Sequence, residues 1–203
     1  MRKTVLILLM LCGLAATLPA QDIRTLFMEA PDSVLPLLPR NARADCVDFA
    51  DAKMVYPVSN LLGGKSLLKE LDENHLLLQS TASSTVEMKL LPIDDSFVIC
   101  VVNTVYAEVA DSRVAFFDRN WKRIGTERFF TYPSIKDFFV GTDNRLLDYC
   151  DMYLVSLKLN PADDTLVAEY TMPGYMNDND AQKVLASLRK LVYRWNGVRF
   201  VME

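Results

Sequence analysis

Histidine is almost absent from this chain, which has a single such residue, His75, among 203. A Ser-His-Asp or Cys-His catalytic arrangement would have to use it, and no Gly-x-Ser-x-Gly motif supplies a nucleophilic serine. His75 follows the turn 72–74 at the start of a predicted strand, where we expect it to be exposed. The sequence therefore predicts no catalytic residues.

Cysteine is also scarce, and no Cys-x-x-Cys motif is present. With only one histidine, a structural zinc site has almost no ligands to draw on. We therefore predict no metal site and no cofactor, and expect chelators to leave the melting temperature unchanged. Cys100 lies in an apolar run and is interpreted as a buried thiol. Cys46 and Cys150 are either free or paired, since an oxidising compartment would permit a disulfide.

Basic residues are outnumbered, with 22 Lys and Arg against 26 Asp and Glu, which gives a net charge of −4. Nucleic-acid binding favours a clustered basic face, so DNA and RNA are excluded as expected partners. After residue 20, no apolar run approaches the length of about 20 residues that a membrane-spanning helix needs. The sequence therefore predicts neither a nucleic-acid-binding protein nor a transmembrane protein.

The one long apolar run lies at the N-terminus, where residues 5–18 follow Arg2 and Lys3 and end before Pro19-Ala20. This pattern is typical of a secretory signal peptide, which we assign to residues 1–20 with cleavage after Ala20. It predicts a periplasmic or otherwise exported protein. A lipoprotein anchored through Cys12 is disfavoured, because the stretch after that cysteine stays apolar.

Residues 21–203 are predicted to form a single α+β domain, a mostly antiparallel meander sheet with helices packed on one face. Helical periodicity covers 22–30 and 41–54, and a capping-box pattern predicts a short helix from Ser134 to Phe139. Asn179 is predicted to cap a helix at 180–188. Apolar runs joined by short turns predict the strands, and short turns favour antiparallel pairing. The strand segments are 65–71, 75–80, 85–91, 96–106, 112–118, 121–124, 151–160 and 165–172. An alternative prediction divides this domain at a subdomain break near 133–145.

The last predicted element is a β-hairpin in the segment VYRWNGVRFV, residues 192–201, which turns on a two-residue Asn196-Gly197 loop. That register places Arg194 directly opposite Arg199. Two like charges facing each other are destabilising unless another group compensates them. Two interpretations stay open: a nearby carboxylate neutralises the arginines, or their guanidinium groups hold a bound anion.

Aromatic residues crowd the middle and the end of the chain. Most are expected to fill the core, because each buries a large apolar area. Tyr132 and Tyr175 are the exceptions, since neighbouring proline and glycine residues place them in loops, where exposed rings could stack on a sugar. With Arg194 and Arg199 they form the predicted set of ligand-binding residues.

Five segments of the chain together resemble one protein family. They are TLFMEAPDSVLPLLPRNARADCVDF, the turn GGKS, VEMKLLP, VICVVNTV and LVYRWNGVRFV. The family consists of exported proteins from Bacteroidetes and is described only as a domain of unknown function. The resemblance covers nearly the whole mature chain and implies a Gram-negative source and a periplasmic or envelope location. It implies no catalytic residue, ligand or activity.

Three functional hypotheses follow from these patterns. The first is a non-enzymatic exported module that binds a protein or another component of the envelope. The second is a small-ligand or glycan binder that uses the loop tyrosines and the arginine pair. The third is a carboxylate-based hydrolase, for which acidic residues are plentiful but no spacing selects a pair. The sequence does not indicate an oligomeric state.

Overall fold

The computed structural model describes residues 22–141 and 144–203, which form an α+β fold with two antiparallel sheets. The predicted fold class is confirmed. The predicted signal peptide, residues 1–20, lies outside the described residues. Within the described ranges, no helix has the length and apolar character that crossing a membrane requires.

The helices and strands follow one another through short connections. The α-helices are α1 (Ile23–Glu29), α2 (Arg40–Asp51) and α3 (Asp178–Leu185). The first sheet contains β1 (Val58–Ser59), β2 (Lys65–Leu71), β3 (His75–Thr81), β4 (Ser84–Ile93), β5 (Ser96–Tyr106), β6 (Ala110–Phe117) and β7 (Arg123–Ile124). The second contains β8 (Val155–Leu159), β9 (Thr165–Tyr170), β10 (Leu191–Trp195) and β11 (Phe200–Met202). Short 3₁₀ helices lie at Thr126–Arg128, Ile135–Phe138, Asn144–Tyr149 and Met172–Tyr175.

The first sheet is a meander of seven strands in sequence order, as the short turns predicted. Successive residues of strand β5 point to opposite sides of the sheet, and consecutive residues of this strand are buried. Strand β5 is therefore buried on both faces. Ile99 and Val101 belong to one hydrophobic core, and Cys100 and Val102 belong to a second core on the other side. The sheet therefore separates two cores.

The two N-terminal helices cover one face of the first sheet, as predicted. Asp22 begins α1 by accepting a hydrogen bond from the Thr25 N–H at 2.8 Å. Cys46 and Val47 of α2 pack with Ile23 of α1 into the core on this side. The charged residues of α2 at positions 45, 48 and 51 are exposed.

The second sheet covers the opposite face, an arrangement that the sequence did not predict. Its strand order is β11-β10-β9-β8, with every pair antiparallel. Leu157, Ala168 and Trp195 share a core with Cys100 and Phe116 of the first sheet. The protein is thus layered as helices, first sheet and second sheet.

The disulfide that the sequence left open between Cys46 and Cys150 does not form. Cys46, Cys100 and Cys150 are all free and buried. Cys46 lies in the core beneath the helices, whereas Cys150 lies in the core between the two sheets. The first sheet separates the two thiols, so they cannot approach.

Of the two predicted helix caps, one is confirmed and one is corrected. The short helix after Ser134 is present, and the Asp137 carboxylate accepts hydrogen bonds from the Ser134 N–H and hydroxyl. The cap of α3 is Asn177 rather than Asn179, because the Asn177 side chain accepts a bond from the Asp180 N–H at 3.1 Å. The subdomain break near 133–145 stays a prediction.

Candidate functional site

The polar face of β4 is buried beneath the second sheet. Glu87 and Lys89 alternate with Val86 and Met88 along this strand. Only 7% of Glu87 and 1% of Lys89 is exposed. Charged residues are almost never buried this deeply without partners. The contacts of these two side chains therefore show how the two sheets are held together.

Lys89 binds the turn between β8 and β9. Its Nζ donates to the carbonyl oxygens of Asn160, at 2.7 Å, and Pro161, at 3.3 Å. The Asp164 carboxylate lies 3.7 Å from the same nitrogen. Burial lowers the pKa of the Lys89 ammonium, and the carboxylates of Asp164 and Asp163 oppose that shift. The ammonium thus attaches the turn 160–164 to the first sheet.

Glu87 binds the neighbouring edge strand of the second sheet. Its Oε2 accepts a hydrogen bond from the Leu159 N–H at 2.7 Å. Burial raises the pKa of the Glu87 carboxyl to about 7, while the bond from Leu159 and the charge of Lys158 act in the opposite direction. A buried carboxyl that titrates near neutral pH makes the fold sensitive to pH.

His75 is buried, with 2% of its surface exposed, so the sequence-based expectation of an exposed histidine is wrong. It pairs in register with Lys89, on the face of the first sheet that the second sheet covers. Neither ring nitrogen has a hydrogen-bond partner. Burial lowers the pKa of His75 to about 4, with Lys89 adding to the shift and Asp72 opposing it. The imidazole is therefore neutral at pH 7.

Two carboxylates face the His75 ring. Its Nδ1 lies 3.8 Å from Glu70 Oε2 and 3.9 Å from Asp72 Oδ2, which is too far for a hydrogen bond. The three side chains meet because the β2–β3 hairpin is short: the Asp72 N–H donates to the His75 carbonyl at 2.8 Å. A register shift between Leu68 and Glu70 then brings Glu70 to the same side.

The sequence analysis missed this group, which we call the hairpin triad: Glu70, Asp72 and His75. The available signal was their position at the predicted turn 72–74, which contains Asp72 and is flanked by Glu70 and His75. A hairpin pattern alone does not fix the register beyond a bulge, and it does not show which face another sheet will cover. The register beyond the bulge and the identity of the covered face were both needed to predict that the three side chains converge.

The predicted opposition of Arg194 and Arg199 is wrong. The pairs in register are Trp195 with Phe200 and Arg194 with Val201. Asn196 changes the turn, because its side-chain oxygen accepts bonds from the Val198 and Arg199 N–H groups, each at 2.9 Å. The loop therefore spans residues 196–199 rather than two residues.

Each arginine has its own partner. Arg194 Nε donates to Glu203 Oε1 at 2.5 Å, and both side chains are about half exposed. Arg199 Nη2 donates to Thr131 Oγ1 at 2.8 Å. A neighbouring carboxylate thus neutralises Arg194, as one of the two open interpretations held. Anion binding by the pair stays a prediction.

We expect Arg194→Ala to change the free energy of unfolding by no more than about 0.5 kcal/mol, because solvent screens an exposed ion pair. Urea denaturation of the two proteins measures the difference, with an unchanged slope as the control for equal compactness. A loss above about 2 kcal/mol would show that the arginine belongs to a buried ion network.

The two predicted loop tyrosines lie in different surroundings. The Tyr132 hydroxyl accepts a bond from the Val114 N–H at 2.9 Å, and its ring packs edge-on against Phe130. Tyr175 ends the 3₁₀ helix Met172–Tyr175 and is exposed. Within residues 22–141 and 144–203, no described hydrogen bond, ion pair or ring contact joins either tyrosine to Arg194 or Arg199. Sugar binding by these tyrosines stays a prediction.

Exposed apolar side chains flank β1, the edge strand of the first sheet, on both sides along the chain. We call this group the apolar rim: Met54, Val55, Tyr56, Leu61 and Leu62. Between 50% and 71% of each side chain is exposed. Exposed apolar residues are ordinary when scattered, but five large ones within nine residues at one sheet edge make this edge a candidate interaction surface.

Lysines border the apolar rim. Lys53 and Lys69 line a groove of about 190 Å³ together with Met54 and Val55, and Lys65 lies beside Leu62. All three lysines are exposed. Glu70 lines the same groove, so lysines outnumber carboxylates beside the rim by three to one among these residues, in a chain whose net charge is −4.

A separate apolar cavity of about 160 Å³ opens between the segment 34–38 and strands β3 to β5. Its lining includes Val34, Leu78, Val86 and Val105. Pockets that hold drug-sized ligands measure roughly 300–1,000 Å³. This cavity is too small for such a ligand, and the apolar rim is the stronger candidate for binding.

Comparisons with known proteins place the chain in a family. The family model described as "Protein of unknown function (DUF3256)" matches residues 15–200. A solved structure described as a domain of an uncharacterized protein from Porphyromonas gingivalis W83 is similar, with a TM-score of 0.77 and 31% sequence identity. That similarity covers 87% of this chain and 96% of the other. A comparison with curated proteins found no match. The chain therefore belongs to the DUF3256 family of proteins of unknown function.

Proposed function

We propose that this protein is an exported, non-enzymatic binding module that contacts a protein of the cell envelope through the apolar rim. The observation that carries the proposal is the exposure of five large apolar side chains within residues 54–62. Hydrophobic surface of this kind is removed from water when a partner covers it. The predicted signal peptide supports the location.

The partner surface that fits the rim is apolar at its centre and acidic at its border. Lys53 and Lys69 line a groove with Met54 and Val55, and Lys65 lies beside Leu62. Opposite charges across an interface favour association. The partner contact is made by side chains rather than by an added β-strand. A bulge at Lys69 interrupts the regular hydrogen-bonding edge of β2, and bulges and lysines at an edge oppose strand addition.

The test is a double variant, Leu61→Asp with Leu62→Asp, expressed in the source cells and purified after mild crosslinking. Both side chains are exposed, so each substitution should change stability by less than about 0.5 kcal/mol. We expect the partner recovered with the unchanged protein to fall at least about tenfold, which corresponds to about 1.4 kcal/mol of binding. Raising the salt concentration should also weaken recovery, because it screens the lysine border.

The matched control is Val140→Asp with Val198→Asp, two apolar side chains that are 65% and 63% exposed but lie away from the rim. It should leave recovery unchanged. Recovery of the partner with the Leu61/Leu62 variant that equals recovery with the unchanged protein would contradict the proposal. Sedimentation of the purified protein tests whether the partner is instead a second copy of this chain. Self-association that the Leu61/Leu62 variant abolishes would also contradict binding of an envelope protein.

A further inference from the structure

We propose that the hairpin triad binds a divalent transition-metal ion of the zinc class, with His75 Nδ1, one Glu70 oxygen and one Asp72 oxygen as ligands. This site departs from the expectation that the chain has no metal centre. It is independent of partner binding by the apolar rim.

The spacing of the ligand atoms fits one ion. The three atoms all lie within 4.8 Å of one another, and His75 Nδ1 is 3.8 and 3.9 Å from the two carboxylate oxygens. Zinc lies about 2.0–2.2 Å from nitrogen and oxygen ligands, so two ligands of one ion are separated by roughly 3–4 Å. The observed separations are too long for direct hydrogen bonds and suit an ion between the groups.

The buried imidazole is the second, independent observation. His75 is 98% buried, since 2% of it is exposed, and neither nitrogen has a hydrogen-bond partner. A buried polar group without a partner is costly, and native structures contain few of them. An ion at Nδ1 would satisfy that nitrogen, and burial keeps the ring in the neutral form that binds metals.

The charges around the triad favour a cation at this point. Glu70 and Asp72 each supply a carboxylate, and both side chains are about half exposed, so water can complete the coordination. Lys89 is the opposing charge, but its ammonium is turned to two carbonyl oxygens and Asp164. One imidazole with two carboxylates is a mixed nitrogen and oxygen set, which binds zinc more tightly than manganese or iron.

The test uses the full chain without a histidine tag, stripped with EDTA and titrated with Zn²⁺ alone. Because His75 is the only histidine, its ring signals in an NMR spectrum are unambiguous. We expect one equivalent of Zn²⁺ to shift those signals and to raise the melting temperature, since an ion that binds only the folded state stabilises it.

Glu70→Gln and Asp72→Asn should each weaken Zn²⁺ binding at least about tenfold. Loss of a residue that only hydrogen-bonds a metal ligand already weakens binding by about that factor, so loss of a ligand should cost at least as much. Glu73→Gln is the matched control, because Glu73 is exposed in the same turn but is not part of the triad. It should bind Zn²⁺ like the unchanged protein.

Two outcomes would overturn the proposal. One is the absence of any shift in the His75 signals at saturating Zn²⁺. This outcome counts against the site even if the ion binds to other surface carboxylates. The other is unchanged binding in the double variant Glu70→Gln/Asp72→Asn. Because these readouts do not involve a partner, they separate this site from the apolar rim.

Discussion

Phe116→Ala is expected to lower the free energy of unfolding by about 3–5 kcal/mol, the usual cost of emptying a large buried site. Phe116 is fully buried on β6, and its ring centroid lies 5.1 Å from that of Phe129 and 6.4 Å from that of Phe200. Phe200 belongs to β11, so the lost ring contacts join the two sheets. Guanidinium denaturation measures the change.

The same experiment tests whether the sheets unfold together. The chain has two tryptophans: Trp121 packs against the core beneath the helices, and Trp195 lies in the core between the sheets. We expect the fluorescence of each, observed in a variant that lacks the other, to report one coincident transition. Val140→Ala, at an exposed position, should cost less than about 0.5 kcal/mol. Separate transitions, or a small effect of Phe116→Ala, would contradict a shared core.

Glu87→Gln is expected to stabilise the protein by about 1–3 kcal/mol at pH 8 and to have little effect at pH 4. Burial raises the pKa of the Glu87 carboxyl from 4.5 to about 7 in the folded state. Its contribution to stability is therefore fully present below about pH 4.5 and is lost as the pH rises through about 7. Glutamine is always neutral and keeps an oxygen for the Leu159 N–H.

Urea denaturation of both proteins at pH 4, 6 and 8 measures the difference, with EDTA in every buffer. The chelator matters because Glu70 lies close enough to raise the pKa of Glu87. Glu73→Gln, an exposed carboxyl in a turn, should change stability by less than about 0.5 kcal/mol at each pH. A benefit of Glu87→Gln that is equal at pH 4 and pH 8 would contradict the raised pKa.

Local patterns predicted the strands and most turns of this protein. The alternation of apolar and polar residues along β4 and the continuous apolar run of β5 depend only on neighbouring residues in one strand. Both strands are present in the structure. The capping pattern at Ser134 succeeded for the same reason. It failed at α3, where both Asn177 and Asn179 are suitable capping residues and the structure uses Asn177.

The division into two sheets could not be predicted in the same way. A strand buried on both faces shows that two layers cover it, but not that helices form one layer and a sheet the other. Glu87 and Lys89 illustrate the difficulty, since two charges on one face of a strand suggest exposure. Only the Leu159 N–H and the turn 160–164 explain their burial.

The closing hairpin shows how a strong local signal can still give the wrong register. Asn196-Gly197 is typical of a two-residue loop, and Gly197 does adopt a positive φ of 90°. The Asn196 side chain nevertheless bonds two successive N–H groups and extends the loop to residue 199. Arg194 therefore pairs with Val201, and the two arginines do not face each other in register as the shorter loop predicted.

The most direct measurement of the proposed function is site-specific photo-crosslinking in the source cells, with a photoreactive amino acid at position 62 or, as a control, at position 198. Both positions are exposed to a similar extent, but only Leu62 belongs to the apolar rim. We predict one discrete crosslinked envelope protein from position 62 and none from position 198. No crosslinked product at position 62, or the same products from both positions, would contradict the proposal.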